Sequence, residues 1–134
     1  MEKYYLKDDL RVFGVQVKTF PIGIGEAFDS LIGKLPEGLE RSYYGISYVR
    51  DKDIVYLAVT AERFEGEAEK YNYERFTIAK GNYNTIMVKD WSKKTDKIKD
   101  VFHEIMKDDC PDENRPCVEW YKSDKEMLCM VRVP

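Results

Sequence analysis

The chain has 134 residues, enough for one domain with its own core and no need of disulfide or metal staples. Its 43% hydrophobic and 35% charged content are those of a globular protein, and a net charge of −3 argues against a nucleic-acid binder, which carries a basic excess. No apolar run nears the roughly 20 residues that cross a bilayer, and the N-terminal MEKYYLKDDLRV lacks the apolar stretch of a secretory signal, so no membrane role and a cytoplasmic location are expected.

From the N-terminus, the first strand is predicted over Val12–Phe20, where Phe13, Val15 and Val17 alternate, until Pro21 and Gly23 break it. Ala27, Phe28, Leu31, Ile32 and Leu35 then fall at helical spacing, and Pro36 and Gly38 close that helix. Two strands follow, SYYGISYV and IVYLAVTAE, joined by the turn Arg50-Asp51-Lys52-Asp53. ERFEGEAEKYN reads as a solvated loop with its glutamates on the surface. YERFTIAKGNY reads as a strand running into a Gly81-Asn82 turn, and NTIMVKDW as the next strand. KIKDVFHEIM has the apolar spacing of a second helix, and a loop with Pro111 and Pro116 leads to two last strands in CVEWY and MLCMVR.

The order strand, helix, strand, turn, strand therefore occurs twice, over roughly 10–61 and 74–133. Val17 of VKTF matches Val88 of VKDW; Ala27, Phe28, Leu31 and Ile32 match Val101, Phe102, Ile105 and Met106. Setting Tyr48 against Tyr121 also aligns Asp51 with Asp124, Lys52 with Lys125 and Asp53 with Glu126. One domain over 1–134 is expected, of α+β class. Its duplicated β-α-β-β units would form a curved antiparallel sheet with two helices on one face and a ligand groove between the halves.

One residue in the last strands is out of keeping with burial. In CVEWY, Cys117, Glu119 and Tyr121 point one way and Val118 and Trp120 the other, with Trp120 expected beneath the helices. A carboxylate among strand-forming apolar residues either faces water, paired with Lys122, Lys125 or Arg132, or waits for a cation or hydrogen-bond donor. The repeat alignment puts Tyr44, Ile46 and Tyr48 on Glu119's face, so Tyr44, Tyr48 and Tyr121 would wall a groove with Glu119 in it. Tyr56 and Trp91 are further candidates. Aromatic faces with one carboxylate suit an aromatic or lipophilic cation. If burial raises its pKa, Glu119 could also act as a general acid or base. No cofactor or metal is expected: Cys110, Cys117 and Cys129 form no CxxC pair, and His103 has no ligand residue four positions on.

CVEWYKSDKEMLCMVRVP resembles the C-terminal signature of GyrI-like, or AraC-type effector-binding, domains: an apolar residue, Glu, any residue, Tyr, a turn and a final apolar strand. FTIAKGNYNTIMV is similar to that family's central strand and Gly-x-Tyr turn (Gly81, Tyr83), and YYGISYV to its Tyr-Gly strand. The resemblance runs from about Leu10 to Val133. It implies a small-molecule-binding domain with Glu119 as the ligand-facing acid. With about nine residues ahead of the first strand, no helix-turn-helix segment and no direct DNA binding are expected. Stand-alone members of the family sequester toxic molecules, protect gyrase, or hydrolyse cyclopropyl electrophiles; the last activity would make Glu119 and Tyr121 catalytic. A protein partner would instead read the acidic runs Glu62–Glu69 and Asp108–Glu113.

Overall fold

Val12 and Phe13 are neighbours in sequence and both fully buried, so their strand is covered on both faces. Val118 and Glu119 are likewise adjacent and both buried, as is the whole run Met127–Val131. The computed structural model, which describes residues 1–107 and 109–134, shows what covers them. Its strands are β1 Glu2–Leu6, β2 Leu10–Gln16, β3 Tyr43–Arg50, β4 Asp53–Ala61, β5 Glu74–Ile78, β6 Gly81–Lys89, β7 Cys117–Tyr121 and β8 Glu126–Arg132. Its helices are α1 Ile24–Lys34, α2 Glu67–Lys70 and α3 Ile98–Met106. All eight strands join one antiparallel sheet in the order β1-β6-β8-β7-β3-β4-β2-β5.

This order is the expected duplication, with β2-α1-β3-β4 answered by β6-α3-β7-β8 and the two halves joined at the β3–β7 ladder. Each half also carries the other's leading strand. β1 precedes β2 in the chain yet pairs with β6, and β5 precedes β6 yet pairs with β2. The short crossings at residues 7–9 and 79–80 run side by side, tied by the Lys80 N–H donating to Asp9 Oδ1 at 2.8 Å.

The sheet is strongly curled. Two strands separate β3 from β5, which in a flat sheet would hold them about 14 Å apart. Yet the Tyr48 and Phe76 rings stack with centroids 6.2 Å apart. On the other side Tyr4 of β1 reaches Trp120 of β7 across two strands at 5.8 Å. The concave face fills itself in this way, with Val12, Tyr44, Ile46, Val59, Val118 and Met130 at its core. The convex face is covered by helices and splits in two: Phe13, Leu31 and Tyr56 lie with α1, and Phe102, Ile105, Cys129 and Val131 with α3.

Four expectations need correction. Residues 2–6 form a strand that the sequence reading left unassigned, because EKYYL has one inward apolar position too few to alternate visibly. The first strand ends at Gln16 rather than Phe20, and β5 does not turn into β6 but lies at the far edge of the sheet from it. The supposed solvated loop contains α2, whose Glu67 is fully buried.

Glu67 is buried because Arg41 meets it. The guanidinium donates to both carboxylate oxygens, at 3.2 and 2.7 Å, and also to the Pro36 carbonyl, while the Arg63 N–H donates to Glu67. These donors hold the Glu67 carboxyl below its usual range. The pair pins α2 to the segment joining α1 and β3. Removing one member leaves the other buried and unpaired. Glu67→Ala is expected to cost about 3–5 kcal/mol in a urea melt, and a loss below 1 kcal/mol would mean that Arg41 finds water instead.

Candidate functional site

Glu119 lies in the middle of β7, directly opposite Gly45 of β3 and Cys129 of β8. It therefore sits at the join between the two halves and points to the helix-bearing face, at the seam between the α1 and α3 clusters. Only 9% of it is exposed. Tyr56, projecting from β4 on the same face, donates its hydroxyl to Glu119 Oε1 at 2.6 Å. Tyr121, two residues along β7, donates to the same oxygen at 2.7 Å, and the two hydroxyls lie 3.3 Å apart. The other oxygen, Oε2, accepts no hydrogen bond from the described residues, and it is not sealed from solvent. No cationic side chain among the described residues forms an ion pair with Glu119.

Aromatic rings surround these hydroxyls. Phe20, from the segment ahead of α1, stacks on Tyr56 with centroids 5.0 Å apart and planes 12° from parallel. Phe28 of α1 meets Tyr121 edge-on at 5.2 Å. Trp91, just after β6, meets the same ring from the other half at 4.9 Å. The Trp91 indole N–H is anchored on the Ser123 carbonyl in the β7–β8 turn, which holds the ring over Tyr121. Phe20, Phe28, Trp91 and Tyr121 are all half-buried, so each half supplies partly exposed aromatic surface beside the carboxylate.

Electrostatically the cluster favours neutral forms. Burial pushes the Glu119 carboxyl above the usual carboxylate range, while the two tyrosine hydroxyls pull the other way. Burial, and then the Glu119 charge, raise Tyr56 and Tyr121 as well. Cys117 is pushed up to about 12 by burial and by Glu119, and Cys129 is raised for the same reasons, so both thiols stay protonated and unreactive.

Of the residues singled out from the sequence, Glu119, Tyr56, Tyr121 and Trp91 are brought together. Tyr44 and Tyr48 are not. Tyr44 pairs with Trp120 and Ile46 with Val118, so Tyr44, Ile46 and Tyr48 lie on the concave face, away from Glu119. The cause is one residue. The β3–β4 turn places Asp51 and Lys52 between the pair Arg50 and Asp53, whereas residues 123–125 separate Lys122 from Glu126. Aligning Tyr48 with Tyr121 therefore pairs residues of opposite faces. Tyr43, opposite Tyr121, is the tyrosine on Glu119's side, and its hydroxyl is bound to the Gly38 carbonyl. Trp120 also lies on the concave face, against Tyr4 and Tyr44, rather than under a helix. Tyr48 lines a concave cleft of about 160 Å³ with Phe76 and Arg50. Sequence reasoning missed Phe20, Phe28 and Gly45 as site residues. A glycine between the aromatics of YYGISYV was the signal that pointed to Gly45.

The acidic runs are occupied within the fold. Glu62 and Glu69 pair with Arg75, Glu67 with Arg41, Asp109 with Arg115 and Glu113 with Arg50, while Asp108 lies outside the described residues.

No family model and no curated protein matches this sequence. Solved structures do match its fold. SAV2435, in a structure bound to tetraphenylphosphonium, is 16% identical with a TM-score of 0.67 over 100% of this chain and 94% of that one. The integron cassette protein VCH_CASS2 of Vibrio cholerae is 15% identical with a TM-score of 0.63 over all of both chains. A hydrolase from Listeria innocua is 12% identical with a TM-score of 0.54 over 99% and 91%. At these identities the likeness is one of fold.

The raised Glu119 carboxyl has a consequence for stability. A group whose pKa is higher folded than unfolded contributes most below its unfolded value, and that contribution is lost as pH rises through the folded one. Glu119→Gln removes the buried charge but keeps an acceptor for the two hydroxyls. Its Tm is expected to exceed that of the wild type at pH 8, by about 4 °C for each kcal/mol relieved. The difference should shrink towards zero near pH 4. A constant difference across that range would mean that Glu119 is not strained by its charge.

Proposed function

We propose that this chain is a small-molecule-binding domain of the GyrI-like type, taking a lipophilic aromatic cation in the helix-side groove with Glu119 as its counter-charge. The observation that carries this reading is a buried carboxylate ringed by aromatic side chains, with no cationic partner among the described residues and with both its donors on one oxygen. Such a charge is unfavourable in the ligand-free protein, and a bound cation would relieve it. Tyr56 and Tyr121 hold Oε1, which aims Oε2 at the groove. Phe20, Phe28, Trp91 and Tyr121 offer ring surface to a ligand that is both greasy and positive, each cation–π contact being worth on the order of 0.5–2 kcal/mol. The structure of SAV2435, of the same fold, is bound to tetraphenylphosphonium, a ligand of this chemistry. Tyr44 and Tyr48 have no part in this groove.

Hydrolysis of an electrophilic small molecule in the same groove is the second reading. It is favoured by a carboxyl that burial raises above the usual carboxylate range, within 2.6–2.7 Å of two tyrosine hydroxyls, the makings of a general acid or base. Glu119 and Tyr121 would be the catalytic pair. A hydrolase shares the fold, so fold does not separate the two readings.

The test is a fluorescence titration with tetraphenylphosphonium and with tetraphenylborate, its anion of matched shape. Wild type is expected to bind the cation and not the anion. Glu119→Gln, still folded, should lose at least tenfold in cation affinity, about 1.4 kcal/mol. Equal binding of both ions, or an unchanged mutant, would remove Glu119 from recognition. Product analysis after incubation with an electrophilic cyclopropane separates a binder from a hydrolase.

A further inference from the structure

Glycine inside a strand is unfavourable and calls for a reason. Gly45 is buried in the middle of β3, directly across the central ladder from Glu119. Its backbone is ordinary strand, so a left-handed conformation is not that reason. The space around it is. A Cβ built there would overlap the Tyr56 hydroxyl and Glu119 Oε1, and would stand 2.8 Å from Tyr56 Cζ. At Gly14 and Gly38 the nearest obstructing atoms are backbone, the ordinary result of close chain packing, while Gly25 and Gly33 face open space. Among the glycines, Gly45 alone has two side-chain oxygens of the candidate site in the volume its side chain would fill.

We infer that Gly45 is the positioning residue of this site: its missing side chain is the space in which the Glu119 carboxylate and the Tyr56 hydroxyl meet, and it thereby sets the site's preference for cations. This rests on the proposed cation site. The Tyr56 ring is fixed between β4 and the stacked Phe20 ring, so its hydroxyl has little freedom to retreat. The carboxylate is fixed by its own strand and by Tyr121. Any side chain at position 45 would then separate the two oxygens and turn Oε2 away from the groove. The titratable groups facing Glu119 are Tyr56 from β4, Tyr121 and Cys117 from its own strand and Cys129 from β8. Phe20 and Phe28 bring no titratable group from the α1 side, nor does Trp91 from the α3 side. Burial raises these four groups as it raises Glu119, and the Tyr56 and Tyr121 hydroxyls are what pull the carboxyl back down.

Gly45→Ala, Glu119→Gln and the double variant test this against wild type. The first measurement is the Glu119 titration midpoint in ligand-free protein, followed through the side-chain carboxyl carbon by NMR. With the Tyr56 hydrogen bond broken, Gly45→Ala should raise that midpoint by at least half a pH unit. The second is the ratio of affinities for tetraphenylphosphonium and tetraphenylborate, which should fall at least fivefold in Gly45→Ala. In the Glu119→Gln background the same substitution should leave the ratio unchanged. A folded Gly45→Ala protein with an unmoved midpoint, or losses that add in the double variant, overturns the inference. If Gly45→Ala does not fold, the midpoint is read in Tyr56→Phe, which breaks the same hydrogen bond without filling position 45 and should raise the midpoint by at least half a pH unit; an unmoved midpoint there overturns the inference. The midpoint needs no ligand, so a wild type without cation preference would defeat the proposed function while Gly45's positioning of Glu119 is still judged.

Discussion

A carboxylate buried at the join of two half-domains, tied by two phenol hydroxyls and by no cation among the described residues, is the constraint around which this molecule is arranged. Carboxylates taken out of water are usually neutralised by a guanidinium or an ammonium, and this chain contains that solution in Arg41 and Glu67. Glu119 is treated differently. Its two donors are weak acids whose hydroxyls stabilise the anion without cancelling its charge, and one oxygen is left unengaged. The fold thus holds two buried acids in contrasting states: one closed by an internal partner, the other open to an external one.

The curl of the sheet makes the second state possible. Had the halves met as a flat sheet, helices on one face would leave the other face bare and a single core would have to serve both. Here the concave face packs against itself through Tyr4–Trp120 and Tyr48–Phe76, so it needs no cover. The convex face spreads as the concave one closes. Its two helix clusters meet over the central strands β3 and β7, where Phe28 from one side and Trp91 from the other both touch Tyr121. Whatever projects outward from the β3–β7 ladder is left at the seam. Three pairs project there in register: Tyr121 opposite Tyr43, Glu119 opposite Gly45, and Cys117 opposite Ser47. The pseudo-symmetric ladder places a charge on one strand and an empty position on the other.

Much of this was legible in the sequence, and the part that was not has a definite cause. The helices α1 and α3 fell where 3.6-residue spacing put them, and the duplicated strand, helix, strand, strand order recurs in the two halves of the sheet. Glu119 stood out because a strand otherwise fit for burial contained an acid. The identity of its neighbours was lost through parity. Strand side chains alternate with a period of two, so a one-residue difference between the two hairpin turns exchanges the faces. That difference moved Tyr44 and Tyr48 onto Glu119's side in the alignment and Tyr43 and Gly45 off it. β1 was invisible for another reason: it is an edge strand whose outward residues are polar and whose partner, β6, is some eighty residues away. Glu67 was misread because composition places glutamates at the surface, and only the tertiary fold reveals the arginine that buries one.

Sharing a fold with a protein bound to an aromatic cation and with a hydrolase leaves the chemistry to the site itself, and there the direction of the hydrogen bonds matters. Both tyrosines converge on the same oxygen of Glu119. A general base needs the oxygen that meets the reacting water to be basic and free, which describes Oε2 rather than Oε1. A counter-charge needs that oxygen to be free and the carboxylate to ionise when a cation arrives; the two hydroxyls stabilise that anion, while burial, the larger effect, disfavours it in the ligand-free protein. The arrangement meets the demands of binding without requiring any water to be positioned, whereas catalysis would need a further group to orient that water. Binding is therefore the simpler consequence of this geometry, and any hydrolytic role would have to be built on top of it by the ligand or by a water held between Oε2 and the Tyr121 hydroxyl.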